Sequence, residues 1–230
     1  MRNAKTRLVS LLIAVILILS VTTLSSCDKR IKFDEAEVVA AARTLLKEAE
    51  FLNEVYYGSG IEYTENEDYD IGYYSRASSA HLEILGFSTI DELKVITEKT
   101  FSDGYSSLLY STILGNLTDD TSIVSAARYF QNYNEETKES YIMVRSTYIP
   151  MFKDTIVYDY DSLRAEGSNK EKVFVSVNAT VTNSDGKSQT VTLTVNLVEE
   201  SDGWKIDNPT YANYNELKDR YDELKDQDIK

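Results

Sequence analysis

Apolar side chains at Val38, Ala42, Leu45, Ala49, Leu52 and Tyr56 recur in steps of three and four residues, with Val39, Ala41, Leu46 and Val55 widening the stripe. That is the period of a helix with one face buried on a core. Asp34 stands where an N-cap belongs, with the Glu37 carboxylate three residues on. The pattern therefore predicts one amphipathic helix over 35–57, ended by Gly58-Ser59-Gly60. A Thr89 to Glu92 capping box opens a second helix that runs to about Thr100, with Ile90, Leu93, Ile96 and Phe101 on its core face. Tyr105, Leu108, Leu109 and Ile113 repeat the spacing in a third, short helix that stops at Leu114-Gly115-Asn116.

After Asp119-Asp120 the period shortens towards two and β-branched residues dominate, which predicts sheet. Strands over 125–133 and 141–147 form a hairpin across Asn134 to Glu139, and a third strand covers 156–165. A long hairpin joins 172–182 to 188–199 around Asn183-Ser184-Asp185-Gly186. In it Val173, Val175, Val177, Ala179 and Val181 share one face, opposite Val191, Leu193, Val195 and Leu197, and the three helices are the expected cover. Trp204 to Asp207 is a last short strand. The fold class is α+β, N-terminal helices packed on a curved antiparallel sheet. One domain spans 34–212, and a charged helical tail with Leu217, Tyr221 and Leu224 occupies 213–230.

The amino terminus changes the picture by giving the domain an address. Arg2, Lys5 and Arg7 precede an apolar run from Leu8 to Val21, 14 residues long, which reads as an export signal. Leu24-Ser25-Ser26-Cys27 resembles a bacterial lipobox. The resemblance implies cleavage after residue 26, lipidation of Cys27 and a membrane anchor of two or three chains, followed by a polar tether over 27–33. An ordinary secretory signal and an uncleaved anchor helix are the alternatives. With its only cysteine at position 27, the exported chain has no internal disulfide and must rest on packing.

The chain carries a formal charge of −14. Loss of residues 1–26 leaves 21 Lys+Arg against 38 Asp+Glu, a formal −17. With no basic cluster, such a surface repels phosphate backbones, so nucleic acid is excluded as a partner. One histidine and one committed cysteine leave no ligand set for zinc, and a chain of this size needs no cofactor to fold. His81, followed by Leu82-Glu83-Ile84-Leu85 in what reads as a local turn before Gly86, fits a surface or capping role rather than a catalytic base. No Gly-x-Ser-x-Gly elbow or phosphate-cradling glycine loop is present, and among 38 acids a catalytic carboxylate pair has no readable signature.

The most charged loop is Ile61 to Tyr74, where Glu62, Glu65, Glu67, Asp68 and Asp70 lie among Tyr63, Tyr69, Tyr73 and Tyr74. It lacks the glycine and terminal glutamate of an EF-hand. A solvated loop, an oxygen-only calcium site and a recognition loop all fit. Of the chain's 17 tyrosines, Tyr56, Tyr57, Tyr63, Tyr69, Tyr73 and Tyr74 concentrate around this loop, suiting either a recognition surface or half-buried packing positions.

The helices, acidic turn and curved sheet ending in Gly203-Trp204-Lys205-Ile206-Asp207 resemble nuclear-transport-factor-like and cystatin-like cones. Tyr73-Tyr74, Phe87 to Leu93, Phe101 to Tyr105 and the Trp204 strand are also similar to the IseA-type family of DL-endopeptidase inhibitors, over roughly 35–212. That resemblance implies a non-enzymatic partner of NlpC-type cell-wall hydrolases, outside the membrane, occluding their cleft with an acidic loop. Glu62, Glu65, Glu67, Asp68, Tyr69 and Asp70 are the candidate partner-binding residues, with Asn134 to Glu139 and Glu199 to Asp202 as competing loops. The alternative is a cone whose pocket binds a small ligand or supports a modest acid/base reaction. A structural or assembly-chaperone lipoprotein is a third reading.

Overall fold

The structure, a computed structural model, describes residues 30–64, 71–115, 127–150 and 154–211. Helix α1, Glu35–Tyr56, begins at Asp34, whose carboxylate accepts the Glu37 N–H at 3.0 Å. Its apolar stripe, from Val38 to Tyr56, is buried as the period predicted. Helix α2, Ser79–Leu85, was expected only as a turn. It buries just Leu82, so no stripe marks it; Ser78 as N-cap and Gly86 at φ 79° as the left-handed C-cap delimit it. Helix α3, Ile90–Thr100, has the Thr89/Glu92 capping box in place, and α4, Asp103–Ile113, starts at Ser102.

The strands form two sheets where one was expected. One is the meander β6 (Thr155–Ser168), β7 (Val173–Thr182), β8 (Ser188–Glu200) and β9 (Gly203–Ile206), antiparallel throughout. Its register pairs Val173 with Leu197, Val175 with Val195 and Val177 with Leu193, placing the alternating apolar positions on one face. Helix α1 lies against β6, β7 and β9, and α3 packs against β9, so the cover is mainly one helix. Two register shifts interrupt β6, and irregularities of that kind bend a strand.

The other sheet has the order β1-β2-β5-β4-β3: β1 (Tyr63–Thr64), β2 (Tyr74–Ala77), β3 (Leu114–Gly115), β4 (Tyr129–Asn134) and β5 (Glu139–Arg145). All its pairings are antiparallel except β3 with β4. The β4–β5 hairpin is the one expected at 125–147, displaced by a few residues. The three short strands escaped the sequence reading because two to four residues are too few to show a period.

A contiguous core runs from Val38 through Tyr129 and Ile142 to Ile206. Tyr74, Phe130, Tyr141 and Met143 form a separate small cluster. Ile31 and Phe33, expected in the polar tether, rest partly buried against the main core, and the Ile31 N–H donates to the Asn169 carbonyl at 2.8 Å.

Candidate functional site

The expected acidic loop is the connection between β1 and β2 at an edge of their sheet. Tyr63 pairs with Ala77 on one side of it, and Ile71 bridges Tyr74 on the other. Glu62 is exposed; its N–H donates to His81 Nδ1 at 2.8 Å and its carbonyl accepts from the Ser78 N–H at 2.8 Å. His81 thus accepts a structural hydrogen bond beside β1. Glu65, Glu67, Asp68, Tyr69 and Asp70 lie outside the described residues, as do Cys27 and the tail after 211.

The two competing loops are internally satisfied. Asn134 Oδ1 accepts the N–H groups of Glu136 and Thr137 at 2.9 and 3.0 Å, closing the β4–β5 turn. Asp202 accepts from Lys205 Nζ at 2.8 Å, and the same ammonium donates to the Glu98 and Lys99 carbonyls at 2.8 and 3.2 Å. Lys205 is 3% exposed, so this is an interior clamp on the end of α3.

The tyrosines divide. Tyr63 and Tyr73 are exposed beside the acidic connection, whereas Tyr56, Tyr57, Tyr105, Tyr129 and Tyr158 are core residues. Burial pushes these five phenols upward, Tyr129 to about 12. The Tyr129 hydroxyl donates to the Val55 carbonyl at 2.7 Å and accepts the Ile61 N–H at 3.1 Å, tying its sheet to the end of α1.

Beside that junction the structure opens a cleft of about 440 Å³, which the sequence did not reveal. Glu50, Asn53 and Glu54 reach it from α1, Gly58 and Ser59 from the turn after it, and Asp154, Ile156 and Tyr158 from the start of β6, with Pro150, Thr155 and Tyr211 completing the wall. Among the described residues, three lining side chains are carboxylates and none is Lys, Arg or His. Asn53 alone had a local signal, a polar residue on the buried stripe of α1. The others converge only through the tertiary fold.

No protein-family model, curated protein or solved structure matches the chain significantly.

Proposed function

We propose that the protein is an extracytoplasmic binding module held at the membrane through a lipidated Cys27, and that its acidic connection engages NlpC-type cell-wall hydrolases. What supports this reading is that the acidic segment of the sequence connects β1 to β2, two strands paired at a sheet edge, with Glu62 exposed just before β1. A recognition loop needs such a rigid base. A carboxylate-rich segment presented there would be steered to a cleft built for acidic peptides. The cystatin-like cone belongs to this proposal: a helix layer over a sheet whose longest strand is bent by two register shifts suits it.

The attachment of Ile31 to Asn169 adds a direction. Four residues span at most about 14 Å, so a lipid anchor at Cys27 would act within that reach of Ile31 and the β6–β7 turn. The cleft lies at the opposite end of β6, a strand roughly 40 Å long. The cleft favours a second reading, a small-ligand site that does not depend on the loop.

The full chain in detergent micelles should inhibit an NlpC-type DL-endopeptidase digesting peptidoglycan. Changing Glu62, Glu65, Glu67, Asp68 and Asp70 together to amides should abolish that inhibition and leave thermal stability nearly unchanged. No inhibition by the parent across several such hydrolases, or full inhibition by the amide variant, overturns the reading. In cells, Cys27→Ala should move the chain to the soluble fraction; retention would mean that residues 8–21 hold the membrane themselves.

A further inference from the structure

We infer that His81 is a pH-sensitive latch on β1: its neutral imidazole holds the start of that strand through the Glu62 N–H, and protonation releases the hold. The inference concerns how the edge strand is fastened and is independent of what the acidic connection engages. It starts from the direction of one hydrogen bond. The Glu62 N–H donates to His81 Nδ1 at 2.8 Å, so that nitrogen carries no proton and the ring keeps its single proton on Nε2. A second proton would have to go on Nδ1, where it would meet the N–H group it faces. Two donors cannot share that position, so the charged ring and the bond exclude each other.

The surrounding structure makes that bond count. Strand β1 has only two residues, Tyr63 paired with Ala77 and Thr64 with Arg76, and it stands at the edge of its sheet. So short an edge strand adds little stability of its own. Just ahead of it the Glu62 backbone is clamped twice to the start of α2, by the Ser78 N–H donated to the Glu62 carbonyl at 2.8 Å and by His81. Ser78 also caps α2, its hydroxyl accepting the His81 N–H at 3.4 Å, so the imidazole stands on a fixed backbone. Protonation removes one clamp and leaves the other, which loosens the strand end in an otherwise folded chain.

The charged groups of the neighbouring elements do not offset that loss. Glu62 precedes β1, Arg76 stands on β2 and Glu83 on α2, and among the described residues no carboxylate forms an ion pair with the imidazole. Arg76 is engaged with the Tyr141 ring at 4.7 Å and with Glu139 at 3.8 Å, and the Tyr63 hydroxyl donates to the Ser146 carbonyl at 3.4 Å. His81 is only half-buried, so a proton reaches it from solvent without unfolding. The hold is therefore complete while the imidazole is neutral and is lost as pH falls through the range in which histidine takes up its proton. No other imidazole competes for an effect in that range, because His81 is the chain's single histidine.

Hydrogen exchange of the full chain in detergent micelles tests this. Protection of the Glu62 amide, corrected for its intrinsic exchange rate and referred to the β7 amides, should fall roughly threefold or more from pH 8 to pH 5, the worth of one exposed hydrogen bond over the interval in which histidine changes charge. His81→Asn places an acceptor oxygen the same number of bonds from the backbone and does not titrate, so it should keep the protection and lose its pH dependence. His81→Leu should show weak protection at both pH values, with the melting temperature of each chain recorded to verify folding. Equal protection of the parent at pH 8 and pH 5 overturns the inference. So does an equal fall in a folded His81→Asn chain, which would assign the effect to the carboxylates, or full protection in a folded His81→Leu chain. Each result leaves the hydrolase reading untouched, because that reading fails only in the inhibition assay.

Discussion

The β6–β9 sheet joins strands that follow one another in the chain, whereas the β1–β5 sheet gathers five segments between Tyr63 and Arg145 in the order β1-β2-β5-β4-β3. The first carries a clean alternation: Val173, Val175, Val177, Ala179 and Val181 are all essentially inaccessible, and one long helix packs on their sheet. The second is covered unevenly. Tyr129, Ile142 and Val144 join the main core, while Tyr74, Phe130, Tyr141 and Met143 make a four-residue cluster apart from it. Local pairing with one dominant face concentrates hydrophobic stabilisation; non-local pairing of short strands spreads it thinly and positions loops and buried polar groups.

A matched pair of truncations tests that contrast. Leu197 and Met143 are both inaccessible, but Leu197 belongs to the main core and pairs with Val173 and Ile206, whereas Met143 belongs to the small cluster. Leu197→Ala should cost about 4 kcal/mol and Met143→Ala about 2 kcal/mol, the two ends of the usual range differing in how far the site can collapse. Denaturant midpoints measure both. Equal losses would mean that the small cluster is embedded as firmly as the main core.

Alkaline pH probes the joint between the β1–β5 sheet and α1. The Tyr129 phenol, ordinarily near 10, is held at about 12 in the folded chain by burial, against the lowering effect of Arg128. Between those values the unfolded chain has lost this proton and the folded chain retains it. Stability from this group is thus complete below about pH 10 and falls as pH rises towards 12, by about 2 kcal/mol at the upper end. Tyr129→Phe should flatten that part of the stability–pH curve while lowering stability at neutral pH, since the Val55 carbonyl and Ile61 N–H lose their shared partner. An unchanged alkaline slope would assign the loss to the other buried tyrosines.

The same contrast explains what was legible in advance. Helix α1 and the β7–β8 hairpin announce themselves because each has many turns of one period and a clear stop, Gly58 or the Asp185-Gly186 turn, whose Gly186 has φ 78°. Helix α2 and strands β1 and β3 are too short to show a period, so their residues read as turns. The cleft was invisible for a related reason. Glu50, Ser59, Asp154 and Tyr211 are far apart in the chain, and exposed acids among 38 carry no individual mark. The acidic connection was legible as composition, and its seat at a sheet edge only as structure.

Arg128 offers the finest test, because it is a buried charge in the thinly packed region. It is 3% exposed, has no carboxylate partner among the described residues, and lies 4.1 Å over the Tyr148 ring and 5.2 Å from that of Tyr129. One nitrogen, Nη2, donates to the Gly58 carbonyl at 2.8 Å, but Nε and Nη1 are buried without acceptors. The guanidinium therefore contributes one hydrogen bond and ring stacking against the desolvation of a full charge. A long apolar side chain would keep most of the packing and remove that penalty, at the cost of the Gly58 bond. Arg128→Met should consequently change stability by less than about 1 kcal/mol, whereas Arg128→Ala, which forfeits the packing as well, should cost several times more. Thermal unfolding of the two variants decides the point. If Met proves as damaging as Ala, the charge itself holds the 58–60 turn against its sheet, and the β1–β5 region depends on electrostatics where the β6–β9 region depends on burial.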